Sequence, residues 1–105
     1  MTDNVYRVDK FRVPASVRDE FLVEVLKTHE LLRKQPGFRH DLLLEQESTP
    51  DEIGIVTLAA WDDPAAAAAA GAAILEMRRA SSFDPGAFMS RLGVTADLGN
   101  YRELA

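Results

Sequence analysis

The sequence predicts an α+β fold, a ferredoxin-like plait in which a four-stranded antiparallel sheet carries helices on one face. Three observations lead to it. Strand-like and helix-like segments follow one another in the order β-α-β-β-α-(short α)-β. One long segment has apolar residues at helical spacing. The third strand is apolar on both of its alternating sets, so both its faces need cover. The 105 residues allow one domain, spanning 1–105, and too little chain remains to cover the second face of the sheet. A homodimer packed sheet to sheet is therefore expected.

Asn4 to Val13 (NVYRVDKFRV) interleaves Val, Tyr and Phe with charges, as a strand with one wet face does. Pro14 ends it, and Ser16 with Asp19 has the form of a capping box. From there Val17, Phe21, Val25, Thr28 and Leu32 make one face of a helix running to about Lys34, with Leu22, Leu26 and Leu31 widening the stripe. Gln35-Pro36-Gly37 stops it. Phe38 to Gln46 reads as a second strand, Glu47 to Glu52 as a polar turn, and Ile53 to Trp61 (IGIVTLAAW) as the third strand. Asp62-Asp63-Pro64 opens a second helix with an acidic cap and an early proline.

Six alanines, Ala65 to Ala70, then Gly71, Ala72 and Ala73, give that helix high propensity and little bulk. It either sits very close to the sheet or leaves space beneath it. Ala70, Ile74 and Met77 are expected to face inward, and Glu76, Arg78 and Arg79 outward. Asp84-Pro85 opens a short third helix through Phe88 and Leu92, closed by Gly93. Val94 to Leu104 supplies a last strand around Leu98 and Tyr101, in which Gly99 weakens the pairing.

Composition removes several classes of function. A net charge of -5 disfavours a phosphate backbone as partner, so no nucleic-acid binding is expected. With no cysteine there is no disulfide, thiolate zinc site or catalytic thiol. Met1 to Lys10 carries Asp3, Arg7 and Asp9 and lacks a signal-peptide core, and no stretch reaches the ~18 apolar residues of a membrane span. A cytoplasmic protein without membrane contact is the expectation. Two isolated histidines, with no carboxylate pattern beside them, give no metal site. No glycine-rich loop follows a strand, so no flavin or nicotinamide cofactor is expected.

Several short motifs go further. Val13-Pro14 is followed by Glu20-Phe21; Gln35-Pro36-Gly37-Phe38 enters the second strand; Val56-Thr57 and Trp61-Asp62 end the third. Asp84-Pro85 with Phe88, and Leu92-Gly93-Val94 before Tyr101, complete the set. Over nearly its whole length the chain resembles the antibiotic biosynthesis monooxygenase domain family of the dimeric α+β barrel superfamily. The resemblance implies a dimeric α/β barrel built from two plaits, with a pocket between the sheet and helices of each subunit. That family includes cofactor-free oxygenases acting on polycyclic phenols and quinols, haem-degrading enzymes, and proteins of no known activity. Members with haem-degrading or quinol-oxidising activity tend to carry His along the second helix, and haem degraders also Trp. Ala65 to Ala80 has neither, so haem degradation is not expected, and a base for quinol oxidation is expected from elsewhere in the fold.

Cofactor-free oxygenation needs an electron-rich substrate that can be deprotonated and can pass an electron to oxygen, held in an apolar pocket beside a base. His40 and His29 are the only imidazoles and hence the candidate catalytic bases. His40 shares the alternating set of Phe38, Leu42 and Leu44, which points it inward, while His29 borders the buried face of the first helix. Each is read against the plainer role of a surface or structural histidine.

Trp61 either stacks on a planar ligand or anchors the core. Tyr6 and Tyr101 either bond a phenolic substrate or pack on the sheet. Met77 lies on the inward side of the second helix, and Phe83, Phe88 and Met89 either lid a pocket or simply pack the third helix. Asn100, Arg78 and Arg79 are weaker candidates, because such side chains are usually solvated. Two functions remain: a cofactor-free monooxygenase-like protein binding an aromatic, polyketide- or quinol-type molecule, or a non-catalytic small-molecule-binding or accessory protein of the same fold.

Overall fold

A computed structural model of the chain describes residues 4–47 and 49–105. The elements are β1 (Val5–Pro14), α1 (Arg18–Leu32), β2 (Phe38–Glu47), β3 (Glu52–Trp61), α2 (Pro64–Ala80), α3 (Pro85–Leu92) and β4 (Thr95–Arg102). The strands form one antiparallel sheet in the order β2-β3-β1-β4, the plait expected from the sequence. β1 and β3 pair along their full lengths, from Val5 opposite Trp61 to Pro14 opposite Glu52. Gly99 does not interrupt β4, which pairs with β1 from Thr95 to Arg102. The ring of Tyr101 lies over Gly99 on the same face, filling the space a side chain would take.

The register puts odd-numbered residues of β1 and β3 under the helices and even-numbered ones on the open face. Under the helices the core comes in two pieces. The larger gathers Val13, Phe21, Val25, Ile53, Ile55, Leu92 and Val94 between α1, α3 and the sheet. The smaller holds Ala59, Trp61 and Ala70, with Leu32 and Phe38 against it. Each fully buried large side chain contributes on the order of 1.5–3 kcal/mol, so the larger piece carries most of the stability. The open face exposes Leu42, Leu44 and Tyr101 to about half of their surface, beside half-buried Val56 and Leu58. Among the described residues no helix is long and apolar enough to cross a membrane.

Local signals act where expected at α2 and α3. Asp63 accepts a hydrogen bond from the Ala66 N–H at 2.8 Å and Asp84 one from the Ala87 N–H at 3.1 Å, each followed by a proline in the first turn. Gly93 closes α3 at φ +76°. Gly37 holds φ +82°, and a Cβ there would lie 2.4 Å from the Ala66 Cβ, so only glycine lets α2 approach this turn.

The structure departs from the sequence reading at four places. The Ser16–Asp19 capping box does not form. The Ala15 N–H is taken by the Asp51 carbonyl at 2.8 Å, Ala15–Val17 becomes a 3-10 turn, and the cap position falls on Val17. α1 stops at Leu32 rather than Lys34, because the Lys34 and Gln35 N–H groups close short bonds to Leu31 and Leu32. β2 has a bulge: Phe38 faces Trp61 but the next pair is His40 with Ala60. Phe38 therefore packs under the helices against Trp61, ring centroids 5.5 Å apart, while His40, Leu42 and Leu44 turn to the open face and Asp41 and Leu43 turn in. Finally, Arg78 does not face away from the sheet; it is half-buried against it.

Candidate active site

Between the two pieces of core lies a cleft with two lobes. Arg7 and Asp9 of β1, Thr28 of α1 and Arg78 of α2 border both. The larger lobe, about 630 Å³, exists because α2 offers Ala67, Ala70 and Gly71 where bulkier residues would fill the space over Ala59 and Trp61. That volume is in the range of small-molecule sites. The smaller lobe, about 200 Å³, has aromatic walls. Phe11 meets Phe21 edge-on at 4.9 Å, Phe21 stacks on Phe88 at 6.5 Å, and Phe83 tilts against Phe88 at 5.4 Å.

His29 lines the smaller lobe. It is the third residue, with Phe21 and Val25, of the buried face of α1. Its Nδ1 lies 2.9 Å from Asp41 Oδ2, and the Arg33 Nε–H donates to the same oxygen at 2.9 Å. Burial alone would raise the Asp41 carboxyl; the bonds from Arg33 and His29 overcome it and hold the group below the ordinary aspartate value. An ionised carboxylate only accepts, so it fixes the proton of neutral His29 on Nδ1 and leaves the Nε2 lone pair free. Nε2 has no partner among the described residues and is not sealed from solvent, and His29 borders the smaller lobe. A base oriented by a carboxylate in the wall of a mostly apolar hollow is an arrangement able to remove a proton from a bound molecule.

On the cleft floor the Arg7 Nε–H donates to Asp9 Oδ1 at 2.6 Å. Burial first, and then the charge of Arg7, pull the Arg78 guanidinium below its usual value. Thr57, buried on β3, adds a polar group to the smaller lobe.

The cleft gathers some of the sequence candidates and not others. His29, Phe83, Phe88 and Met89 line the smaller lobe, and Trp61 and Asn100 the larger. Trp61 is also almost fully buried against Phe38, so cleft wall and core anchor are the same side chain. His40 is on the opposite face of the sheet and exposed, turned there by the bulge at Arg39. Tyr6 and Tyr101 share that face, opposite one another, and the Tyr6 hydroxyl donates to Glu103, whose carboxylate raises the phenol above its ordinary value. Met77 is half-buried but borders neither lobe, and Arg79 points out and pairs with Glu76 at 3.3 Å.

Sequence reasoning missed Asp41, Arg33, Arg7 and Asp9. One signal was available: Asp41 falls on the inward set once a one-residue bulge after Phe38 is allowed, and His29 and Arg33 are one helical turn apart facing it. Among the described residues no three His, Asp or Glu side chains converge as metal ligands.

Known proteins agree with this geometry at the level of fold. SnoaB, a cofactor-independent oxygenase from Streptomyces nogalater solved in a mutant form, superposes with a TM-score of 0.71 at 23% identity, covering 98% of this chain and 95% of that one. A protein from Shewanella loihica PV-4 gives 0.74 at 19% identity over 100% and 98%. A mutant of MhuD, solved with two manganese protoporphyrin IX bound per active site, gives 0.66 at 18% identity over 96% and 95%. No curated protein matches the sequence significantly. Residues 4–86 match the family described as antibiotic biosynthesis monooxygenase, and the chain belongs to that family.

Proposed function

We propose that the protein is a cofactor-independent oxygenase acting on an aromatic substrate of the anthrone or quinol type, with His29 as its base. The observation that carries this reading is His29, held at Nδ1 by Asp41 with Nε2 unpartnered among the described residues, in the wall of a hollow shared with Phe21, Phe83 and Phe88. In the proposed reaction His29 Nε2 takes one proton from a ring methylene of the substrate. The resulting carbanion, spread over the phenolic rings, gives one electron to dioxygen, and the radical and superoxide join as a carbon–oxygen bond. The peroxide takes a proton back from His29. It then loses the second methylene proton and breaks its O–O bond, leaving a carbonyl and water. One CH2 and one O2 thus become one C=O and one H2O, with the substrate as the only reductant.

Oxygen uptake with 1,8-dihydroxyanthrone tests the proposal. His29→Ala is expected to lower kcat/KM by about 10²–10⁴-fold, the usual contribution of a positioned base. Unchanged uptake in that variant overturns it. A second reading, a non-catalytic binder or accessory protein, is favoured by the larger lobe, where α2 presents only Pro, Ala, Gly and aliphatic side chains before Arg78. Saturable binding of anthraquinones with no oxygen uptake from anthrones would establish it.

The proposal includes a homodimer formed by the open faces of two sheets. Half-exposed Leu42 and Leu44 on β2, adjoining Val56 and Leu58 on β3, support it, since contiguous apolar surface of this kind marks association sites. Sedimentation equilibrium at micromolar concentration is expected to give twice the chain mass of 11.6 kDa. Folded single chains under those conditions overturn that part.

A further inference from the structure

We infer that Arg78 anchors a carboxylate on the molecule that fills the cleft, so that the substrate is an acidic aromatic and not a neutral one. The inference rests on the reading of the cleft as the substrate site. The arginines on and beside the helices otherwise hold carboxylates: Arg18 binds Glu45, Arg33 binds Asp41, Arg79 binds Glu76 and Arg91 binds Glu20. Arg78 differs. Its guanidinium has no hydrogen bond or ion pair among the described residues, although it is half-buried. The two carboxylates whose charge reaches it are already engaged, Asp9 by Arg7 at 2.6 Å and Glu24 by Lys27 at 3.2 Å.

The Arg78 guanidinium presents five N–H donors in a planar fork, none of them sealed from solvent, so a ligand can take them in place of water. The fork matches a carboxylate bonded through both oxygens. A phosphate would call for more free donors than one guanidinium beside an already occupied Arg7 supplies. Position supports the same conclusion. Arg78 borders both lobes, so an acid group held there leaves the rings of the ligand to the aromatic lobe, in front of His29, or to the alanine-lined one. Arg7 with Asp9, and Glu24 with Lys27, are paired nearby, so among the described residues Arg78 is the cation left to meet an acid group there.

Trp61 is the only tryptophan and lines the larger lobe, so its fluorescence reports binding without requiring turnover. The full chain is titrated with anthraquinone-2-carboxylate and with 2-methylanthraquinone, which differ only in the acid group. The carboxylate is expected to bind about ten- to a hundredfold tighter, the usual span for a charge-assisted hydrogen bond. Arg78→Gln should abolish that preference and leave 2-methylanthraquinone within about twofold. Arg78→Lys, which keeps the charge but not the fork, should retain part of it. Circular dichroism and Tm establish that both variants fold.

Equal affinity for the two ligands in the native chain, a preference that survives Arg78→Gln, or binding of neither ligand overturns the inference. The corresponding anthrones separate it from the oxygenase reading. An acid preference without oxygen uptake leaves the inference standing and removes that reading; uptake without an acid preference does the reverse.

Discussion

Replacing Asp41 by Asn changes one charge and almost no shape, and it probes the proposed base through its support. Asp41 Oδ2 accepts from His29 Nδ1 and from Arg33 Nε, both at 2.9 Å. In the variant the amide oxygen has to occupy that position, because Arg33 offers only donors there. The tautomer of His29 survives and the negative charge is lost. A hydrogen bond to a charged acceptor is worth about 1.5–3 kcal/mol and a neutral one about 0.5–1.5, so each bond weakens by about 1 kcal/mol. The His29 and Asp41 side chains are only 7% and 11% exposed, which leaves their bond little screened. Arg33 is 47% exposed, and its share is discounted accordingly.

The stability loss in Asp41→Asn should therefore be about 1–2 kcal/mol, read as a lower urea midpoint at pH 7. Its pH dependence has a definite sign. The folded Asp41 carboxyl is held below its unfolded value of about 3.9, so its stabilisation is complete above roughly pH 4 and fades as the pH falls through the lower folded value. The gap between native chain and variant closes in acid and not in base. In catalysis the carboxylate stabilises the imidazolium that forms as the proton is taken, and about 1.4 kcal/mol there is tenfold in rate. Asp41→Asn should thus lower anthrone oxygenation about tenfold in the native background and have no further effect in His29→Ala. Full activity in Asp41→Asn, or an equal loss in the absence of His29, refutes the coupling.

Two further outcomes follow from particular side chains. Gly37→Ala should destabilise the fold by at least about 1–2 kcal/mol, the cost of a left-handed L-residue alone, because its Cβ also meets the Ala66 Cβ; urea denaturation measures it, and an unchanged midpoint refutes the close approach of α2. His40→Ala should leave oxygen uptake unchanged, because that imidazole is on the open face of the sheet, and a tenfold loss would refute the placement of the reaction under the helices.

Where the sequence was readable, a local rule acted without competition. The caps at Asp63 and Asp84 and the stop at Gly93 work as their residue types require, since no other part of the chain competes for those backbone groups. The apolar stripe of α1 is readable because Phe21 and Val25 fall at helical spacing, and His29, expected at its border, is buried on the same face. At Ser16 a local rule lost to a long-range one: the bond from the Ala15 N–H to Asp51 comes from a turn far along the chain, and nothing near Ser16 announces it. β2 failed for a different reason. Strand alternation is a parity argument, and one bulged residue inverts every later side chain. The inversion exchanged the faces of His40 and Asp41: the imidazole expected to point inward lies on the open face, and the carboxylate beside His29 has no counterpart in the sequence reading. Arg78 was misjudged because polar residues on an exposed helix are usually solvated, whereas the small side chains before it on α2 leave a hollow into which it folds back.

The split of the core explains why the cleft sits where it does. A two-layer plait of this size would gain most from one continuous apolar layer. Here β1 interrupts that layer with Arg7 and Asp9, and β3 with Thr57, all on the helix side between the Val13–Ile55 cluster and the Ala59–Trp61 cluster. Those residues forgo burial energy that Val or Leu would supply at the same positions. The even-numbered residues of β3 from Gly54 on are Gly54, Val56, Leu58 and Ala60, with no polar side chain among them. The same strand therefore has a face bearing Thr57 at the cleft under the helices and a purely apolar stretch outside. An apolar face outside is stable only if something covers it, while polar groups inside are tolerated only if they are paired or have a ligand to meet. Asp9, His29 and Asp41 are paired within the chain, and Arg78, alone among the charged groups bordering both lobes, has its guanidinium unpaired among the described residues. The position of that one cation, at the junction of the lobes, ties the shape of the cleft to the charge of what it holds.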